Sequence, residues 1–359
     1  MPQSLFLQNV IAIIWDFDRT LIPGYMQEPL FRRYDVNARE FWTEVAKLAR
    51  YYKDRERVEA NRDTAYLNHL LTYVREGRLP GLSNALLREL GTQIRFYPGL
   101  PDFFPRLKDA IEKDKTFSRD DVRLEHYIVS TGLRQMILGS EIAPFVESVW
   151  GCEFIESPAP AGFVRSGLQQ EMTLVKAKPR KRGIRPAEEG TPAISQLAYV
   201  IDNTTKTRAI FEINKGSNKE RIDVNAVIRP EDRRVPFQNM IYIADGPSDV
   251  PVFSIVNHFG GRTYAVYGRR HLRQFRQVKK LQEQGRVQSF GEADYTEDSH
   301  TSLWIRETAK EIAWRIVYDR AAALKERVHA PPGHIVEEEE AGAGMPLTGI
   351  ESEREKGTA

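Results

Sequence analysis

Val10-Ile11-Ala12-Ile13-Ile14-Trp15-Asp16-Phe17-Asp18-Arg19-Thr20 is the stretch on which the architecture turns. Six consecutive apolar residues, mostly β-branched, read as a strand covered on both faces, as in a parallel sheet between two layers of helices. The run stops at two aspartates spaced i and i+2, which leave a strand end on the same side. One such carboxylate can act as a nucleophile while the other handles protons. Packed this closely, both ionise only with a cation between them, and a hard, oxygen-liganded ion such as Mg2+ suits. Taken alone, Asp-x-Asp is equally an ordinary solvated turn after a strand.

Two further apolar runs end in polar clusters. Tyr127-Ile128-Val129 leads into Ser130-Thr131-Gly132. A hydroxyl and free backbone N–H groups at that point suit a phosphate oxygen, although Ser130 or Thr131 can as well cap the helix that follows. Ile241-Tyr242-Ile243-Ala244 leads into Asp245-Gly246-Pro247-Ser248-Asp249. Asp245 is a candidate metal ligand and Asp249 a candidate to orient it, against a reading in which Asp245 or Ser248 caps a helix begun by Pro247. Charge on a transferred group also calls for a cation. Lys206 sits near the start of a helix expected over 205–214, where the macrodipole opposes an ammonium unless an anion is close. Lys215, at the far end of that helix beside Gly216, is the alternative.

Strands are also expected over 197–201, 263–267 and 287–290, with helices over 29–94 (broken at 77–83), 103–113, 133–139, 250–257 and 302–327. Buried strands alternating with helices predict an α/β fold with a doubly wound parallel sheet. Ligands in such sheets bind outside the carboxyl ends of the strands, where the three polar clusters can meet.

The formal net charge of +2 conceals local imbalance. Residues 165–193 hold seven Lys and Arg against three Glu, punctuated by Pro and Gly, and read as a flexible insertion. Residues 330–359 hold seven Glu against Arg354 and Lys356 and read as a disordered acidic tail. Beyond Phe275, neither the insertion nor the basic stretch 269–280 interleaves aromatic residues as single-strand binders do, so nucleic acid is not an expected partner. The lone Cys152 excludes an internal disulfide and fits a reducing compartment. The apolar run at 10–15 is far short of the roughly 20 residues of a membrane helix. Residues 1–9 carry no basic residue of a secretory signal, so a cytoplasmic protein without a membrane segment is expected.

Strand-Asp-x-Asp-x-Thr, strand-Ser-Thr-Gly, Lys and strand-Asp-Gly-x-x-Asp, in that order over residues 9–325, resemble the haloacid dehalogenase (HAD) superfamily. The resemblance implies a Rossmann-like core at 1–22 and 96–329 and an inserted α-helical cap at 23–95, hinged at Pro23-Gly24. It implies that Asp16 is a nucleophile forming an aspartyl-phosphate and that Asp18 protonates the leaving group and then activates water. Ser130, with the Thr131 and Gly132 amides, and Lys206 would hold the phosphoryl group. Asp16, the Asp18 carbonyl and Asp245 would hold Mg2+, supported by Asp249. Because members that remove halide lack the second acid, Asp18 points to a phosphatase of a small or medium phosphomonoester. The alternative is a non-catalytic binding or regulatory protein of the same fold.

Two positions depart from the family pattern: Ala244 and Arg19 stand where glycine is common. The layout is similar to the phosphoserine phosphatase branch, but the acid of that branch nine residues after the nucleophile is here Tyr25, so phosphoserine is not the expected substrate. Arg32, Arg33, Tyr34, Arg62 and His69 are the cap candidates for substrate choice, and nothing in the sequence ranks them or sets the oligomeric state.

Overall fold

The computed structural model describes residues 5–162 and 193–327. The expected insertion and acidic tail therefore lie outside the described residues, apart from residue 193. The chain divides into two compact units, residues 1–319 and 320–359. All that follows concerns the first; in the second, residues 320–327 are helical.

Strand β1 (Val10–Trp15) is buried along its whole length. It lies at the centre of a seven-stranded sheet of order β4-β3-β2-β1-β5-β6-β7. The partners are β2 (Arg123–Leu133), β3 (Ser148–Ile155), β4 (Gln196–Tyr199), β5 (Met240–Ala244), β6 (Arg262–Tyr267) and β7 (Ser289–Glu292). The sheet is parallel from β3 to β7, as the apolar runs predict. At the other edge β4 pairs antiparallel with β3, an arrangement common in otherwise parallel sheets. β3 was not among the expected strands: Gly151, Cys152 and Glu153 interrupt its apolar pattern, and pairing with β2 rather than composition makes it a strand.

The chain builds one half of the sheet outward from β1 through β2 and β3, then crosses back to β5 and builds the other half. The order reverses beside β1, which opens a crevice at its carboxyl end. Beneath that crevice the sheet is anchored by Trp15, whose indole meets Phe103, Phe104 and Tyr295 edge to face at 5.3–6.1 Å. Its Nε1–H donates to Nδ1 of the buried His126 at 3.2 Å, and His126 Nε2 reaches the Phe104 carbonyl at 3.2 Å. Nδ1 thus accepts and Nε2 carries the proton: the imidazole is neutral, and burial lowers its pKa to about 3.

Four helices fill the stretch between β1 and the return to the core: α1 (Glu28–Arg33), α2 (Ala38–Glu56), α3 (Arg62–Arg75) and α4 (Asn84–Gly91). Asn37, Asn61 and Ser83 cap α2, α3 and α4 through side-chain oxygens, each satisfying otherwise orphaned backbone N–H groups. The return passes Gly99, whose φ of +85° and close approach to the Tyr295 backbone exclude a side chain. Helices α5 (Phe103–Glu112), α6 (Lys115–Arg119), α7 (Arg134–Gly139), α8 (Lys206–Lys215), α9 (Val250–His258) and α10 (Leu272–Glu283) connect the strands, and α11 (His300–Arg327) closes the described chain. Among the described residues no helix is long and apolar enough to cross a membrane.

Candidate active site

The register of the sheet brings the sequence clusters together. Trp15 pairs with Ile128 on one side and Ile243 on the other, and the Asp16 N–H donates to the Ile243 carbonyl at 2.9 Å. Asp16 therefore emerges between the strand ends that carry Ser130 and Asp245.

Lys206 completes the cluster. Asp202 takes over the start of α8, its carboxylate accepting from the Thr204 and Thr205 N–H groups at 2.9 and 2.6 Å. The Lys206 side chain turns inward and is 1% exposed. Its Nζ donates to Asp16 Oδ1 at 2.7 Å and to Asp249 Oδ1 at 2.6 Å. The anion that the helix start demanded is thus a pair of carboxylates. Lys215, the alternative, instead donates to the Val224 and Ala226 carbonyls at 2.6 and 2.7 Å. Asp249 is held further by the Tyr242 hydroxyl at 2.6 Å and the Ser248 hydroxyl at 2.7 Å, and Asp16 by the Thr20 hydroxyl at 3.2 Å.

The charges do not balance. Asp16, Asp245 and Asp249 each place a carboxylate oxygen within 4.8 Å of the others, and the one ammonium among them, Lys206, pairs with Asp16 and Asp249. Burial pushes Asp16 up to about 6; the Lys206 ammonium pulls the other way, and the Asp249 charge adds to the rise. Asp245 is driven well above the carboxylate range by burial and then by Asp16 and Asp249. Burial works against the charge of Lys206, but its two carboxylates outweigh it and raise its pKa. A buried oxygen-rich cluster short of positive charge fits a hard divalent cation, with Asp16 and Asp245 as ligands and Asp249 already committed to Lys206, Tyr242 and Ser248.

Asp18 lies beside this cluster, where its Oδ1 accepts the Met26 N–H at 2.9 Å. Burial, then the charge of Asp16, pushes it up to about 8. Arg19 takes a left-handed backbone (φ 60°), which explains why glycine suits that position, and its guanidinium stacks 4.5 Å over the Tyr25 ring.

Ser130 was expected to end a strand. β2 instead continues to Leu133, and its register against β3 shifts between Val129 and Leu133. The resulting bulge re-aims the backbone at Ser130-Thr131-Gly132. Here the Gly132 N–H donates to Ser130 Oγ at 3.0 Å, so this amide orients the hydroxyl instead of standing free. A side chain at Gly132 would meet the end of the Met26 thioether, which would have to move aside.

Above Asp18 opens a cavity of about 190 Å³. Its floor is Asp18, Thr131 and Gly132, and its wall is Tyr25, Gln27, Trp42, Val45, Asp63 and Tyr66. Apart from Tyr25, the wall was not anticipated. The spacings that reveal it, Trp42 with Val45 on α2 and Asp63 with Tyr66 on α3, are i, i+3 pairs that face one way on a helix. Three of the cap candidates are engaged elsewhere: Arg32 donates to Gln93, Tyr34 to the Pro80 carbonyl, and His69 pairs with Glu44; the Arg62 side chain lies outside the described residues. Tyr242 and Ser248 were also missed as site residues, because an apolar strand and a loop hydroxyl carry no distinctive pattern; Thr20 belongs to the Asp-x-Asp-x-Thr motif but had no role assigned to it.

No family model matches the chain. A Borreliella burgdorferi protein described as uncharacterized is 40% identical over 303 residues, covering 84% of this chain and 96% of its own. Among solved structures, a HAD-family hydrolase from Salmonella enterica serovar Typhi aligns at a TM-score of 0.43 and 14% identity, covering 76% of this chain and 67% of its own. A phospho-aspartyl intermediate analogue of a phosphoserine phosphatase aligns at 0.40 and 14%, covering 79% and 93%. A probable phosphoserine phosphatase from Vibrio cholerae aligns at 0.43 and 10%, covering 87% and 68%. The chain belongs to one family with the Borreliella burgdorferi protein.

Proposed function

We propose that the protein is a Mg2+-dependent phosphatase that hydrolyses a small or medium phosphomonoester through an aspartyl-phosphate on Asp16. The observation that carries this reading is the buried ammonium of Lys206, held 2.7 Å from Asp16 and 2.6 Å from Asp249 at the carboxyl ends of β1 and β5. A lysine this deeply placed among carboxylates is costly to desolvate. The arrangement makes chemical sense where a phosphoryl group must be neutralised beside a nucleophile.

A carboxylate oxygen of Asp16 attacks phosphorus, the bond from phosphorus to the alcohol oxygen breaks, and Asp18 gives its proton to that oxygen. Asp18, now a carboxylate, takes a proton from water as the water oxygen attacks the same phosphorus. The bond to Asp16 then breaks, releasing inorganic phosphate and restoring both acids. Lys206 and the Ser130 hydroxyl hold phosphoryl oxygens through both steps. Bound Mg2+, held by Asp16, Asp245 and the Asp18 carbonyl, would supply the positive charge that the cluster lacks. Helices α1–α4 act as the cap that closes over Asp18, hinged at Pro23-Gly24.

The test is phosphate release by the purified chain with Mg2+ from sugar phosphates, nucleotides, phospho-amino acids and cofactor phosphates. Turnover of at least one ester, with a phosphoryl adduct trapped on Asp16 by acid quench, is expected. Turnover that survives Asp16→Asn would overturn the assignment.

A further inference from the structure

Resting on the phosphatase reading of the same site, we propose that the alcohol released from the substrate carries a positive charge, as in an ester of an amino or quaternary-ammonium alcohol. The leaving oxygen must sit at Asp18, so the rest of the alcohol occupies the cavity of about 190 Å³ above it. The wall facing Asp18 combines the two features that hold an alkylammonium in water: aromatic faces and a carboxylate.

Trp42 is the centre of the aromatic wall. Its ring lies 5.2 Å from that of Tyr25 and 5.8 Å from that of Tyr66, tilted by 38° and 44°. All three residues line the cavity. The Tyr66 hydroxyl is tied to the Thr131 carbonyl, so its ring is fixed against the floor. Asp63 stands one turn before Tyr66 on the same face of α3. Its carboxylate has no hydrogen bond or ion pair among the described residues; no Lys or Arg is among the described residues that line the cavity, and the Arg19 guanidinium lies 4.5 Å over the Tyr25 ring, which leaves Trp42 and Tyr66 as the rings without a cation. An anionic alcohol, such as one bearing a carboxylate or a second phosphate, would meet the unpaired Asp63 carboxylate. A cationic one is attracted by Asp63 and by the Trp42 and Tyr66 rings together.

The experiment compares kcat/KM of the full chain with Mg2+ for phosphocholine, phosphoethanolamine, glycerol 2-phosphate and 3-phosphoglycerate. At least one cationic ester is expected to lead the neutral and anionic ones by roughly tenfold, through KM. Asp63→Asn is expected to shrink that preference severalfold by raising KM for the cationic ester more than for glycerol 2-phosphate. Equal or greater efficiency with the neutral or anionic esters, or an Asp63→Asn effect that is the same for all, would overturn the proposal.

A readout free of turnover separates the two levels. Choline titrated into the Asp16→Asn protein is expected to quench a fluorescence component that Trp42→Phe lacks, and Asp63→Asn is expected to weaken that binding. Choline binding without hydrolysis of any ester would remove the phosphatase reading and keep the cation site. Hydrolysis of esters without preference or choline binding would do the reverse.

Discussion

The floor and the wall of the site are built by different means. The floor comes from strand ends: Asp16, Ser130 and Asp245 follow apolar runs, and the pairing of β1 with β2 and β5 sets them side by side. The wall comes from helix faces: Trp42, Asp63 and Tyr66 stand on α2 and α3, whose sequences are mostly polar and charged. A parallel sheet leaves its strand ends little freedom, because each is tied to two neighbours. Helices over a crevice are placed only by their own packing. The difference predicts that the chemistry resides in the floor and the choice of substrate in the wall.

The strongest break of that division is at the nucleophile. Asp16→Asn is expected to lower kcat by about 10⁴-fold or more while far-UV circular dichroism stays unchanged. A merely structural role would leave the rate near that of the unmodified protein.

Lys206→Met comes next, because it removes the ammonium from beneath Asp16 and Asp249 and leaves buried carboxylates unpaired. A loss of about 3–5 kcal/mol in urea unfolding is expected together with the loss of turnover. Lys215→Ala, by contrast, should leave turnover intact, since that side chain serves only loop carbonyls. Comparable damage from both would show that the buried lysine has no special part.

In the wall, Trp42→Leu is expected to raise KM about five- to tenfold with kcat nearly unchanged, since the contact is an aromatic face and not a reacting group. A matching fall in kcat would move the wall into the chemistry.

The smallest effect lies beneath the floor. His126 is buried neutral, with its pKa lowered to about 3, while the unfolded chain protonates it near pH 6.5. Between those values the unfolded chain binds the additional proton, so the stability this site contributes is complete above pH 6.5 and is lost as pH falls toward 3. His126→Gln is expected to flatten that slope by up to ~1.4 kcal/mol per pH unit in chemical denaturation between pH 4 and 6. An unchanged slope would mean that the imidazole is protonated in the folded protein.

Much of the floor is legible in the order of residues alone. The apolar runs at 10–15 and 240–244 are strands, and each ends where carboxylates begin. That change of character within one residue step is visible because burial on both faces demands an unbroken apolar run. Lys206 is half legible: its place at a helix start asks for an anion, but Lys215 on the same helix satisfies the spacing as well. β3 and the bulge at Ser130 are not legible, because neither depends on composition. Arg32, Arg33, Tyr34 and His69 look as eligible for the wall as Trp42 and Asp63, since a mostly polar helix does not say which of its faces turns inward.

The sequence by itself determined which residues are costly to bury and therefore must be grouped: six apolar residues in β1, and aspartates that cannot ionise together without a cation. It also set the order in which the clusters follow one another. Only the tertiary structure decided that one lysine bridges Asp16 and Asp249, that Tyr242 and Ser248 hold Asp249 in place, and that three aromatic rings and Asp63 line one cavity with Asp18. The physical reason is range. Burial and periodicity act along a few neighbouring residues, whereas charge compensation and cavity shape depend on groups up to 190 positions apart that meet only when the sheet has formed.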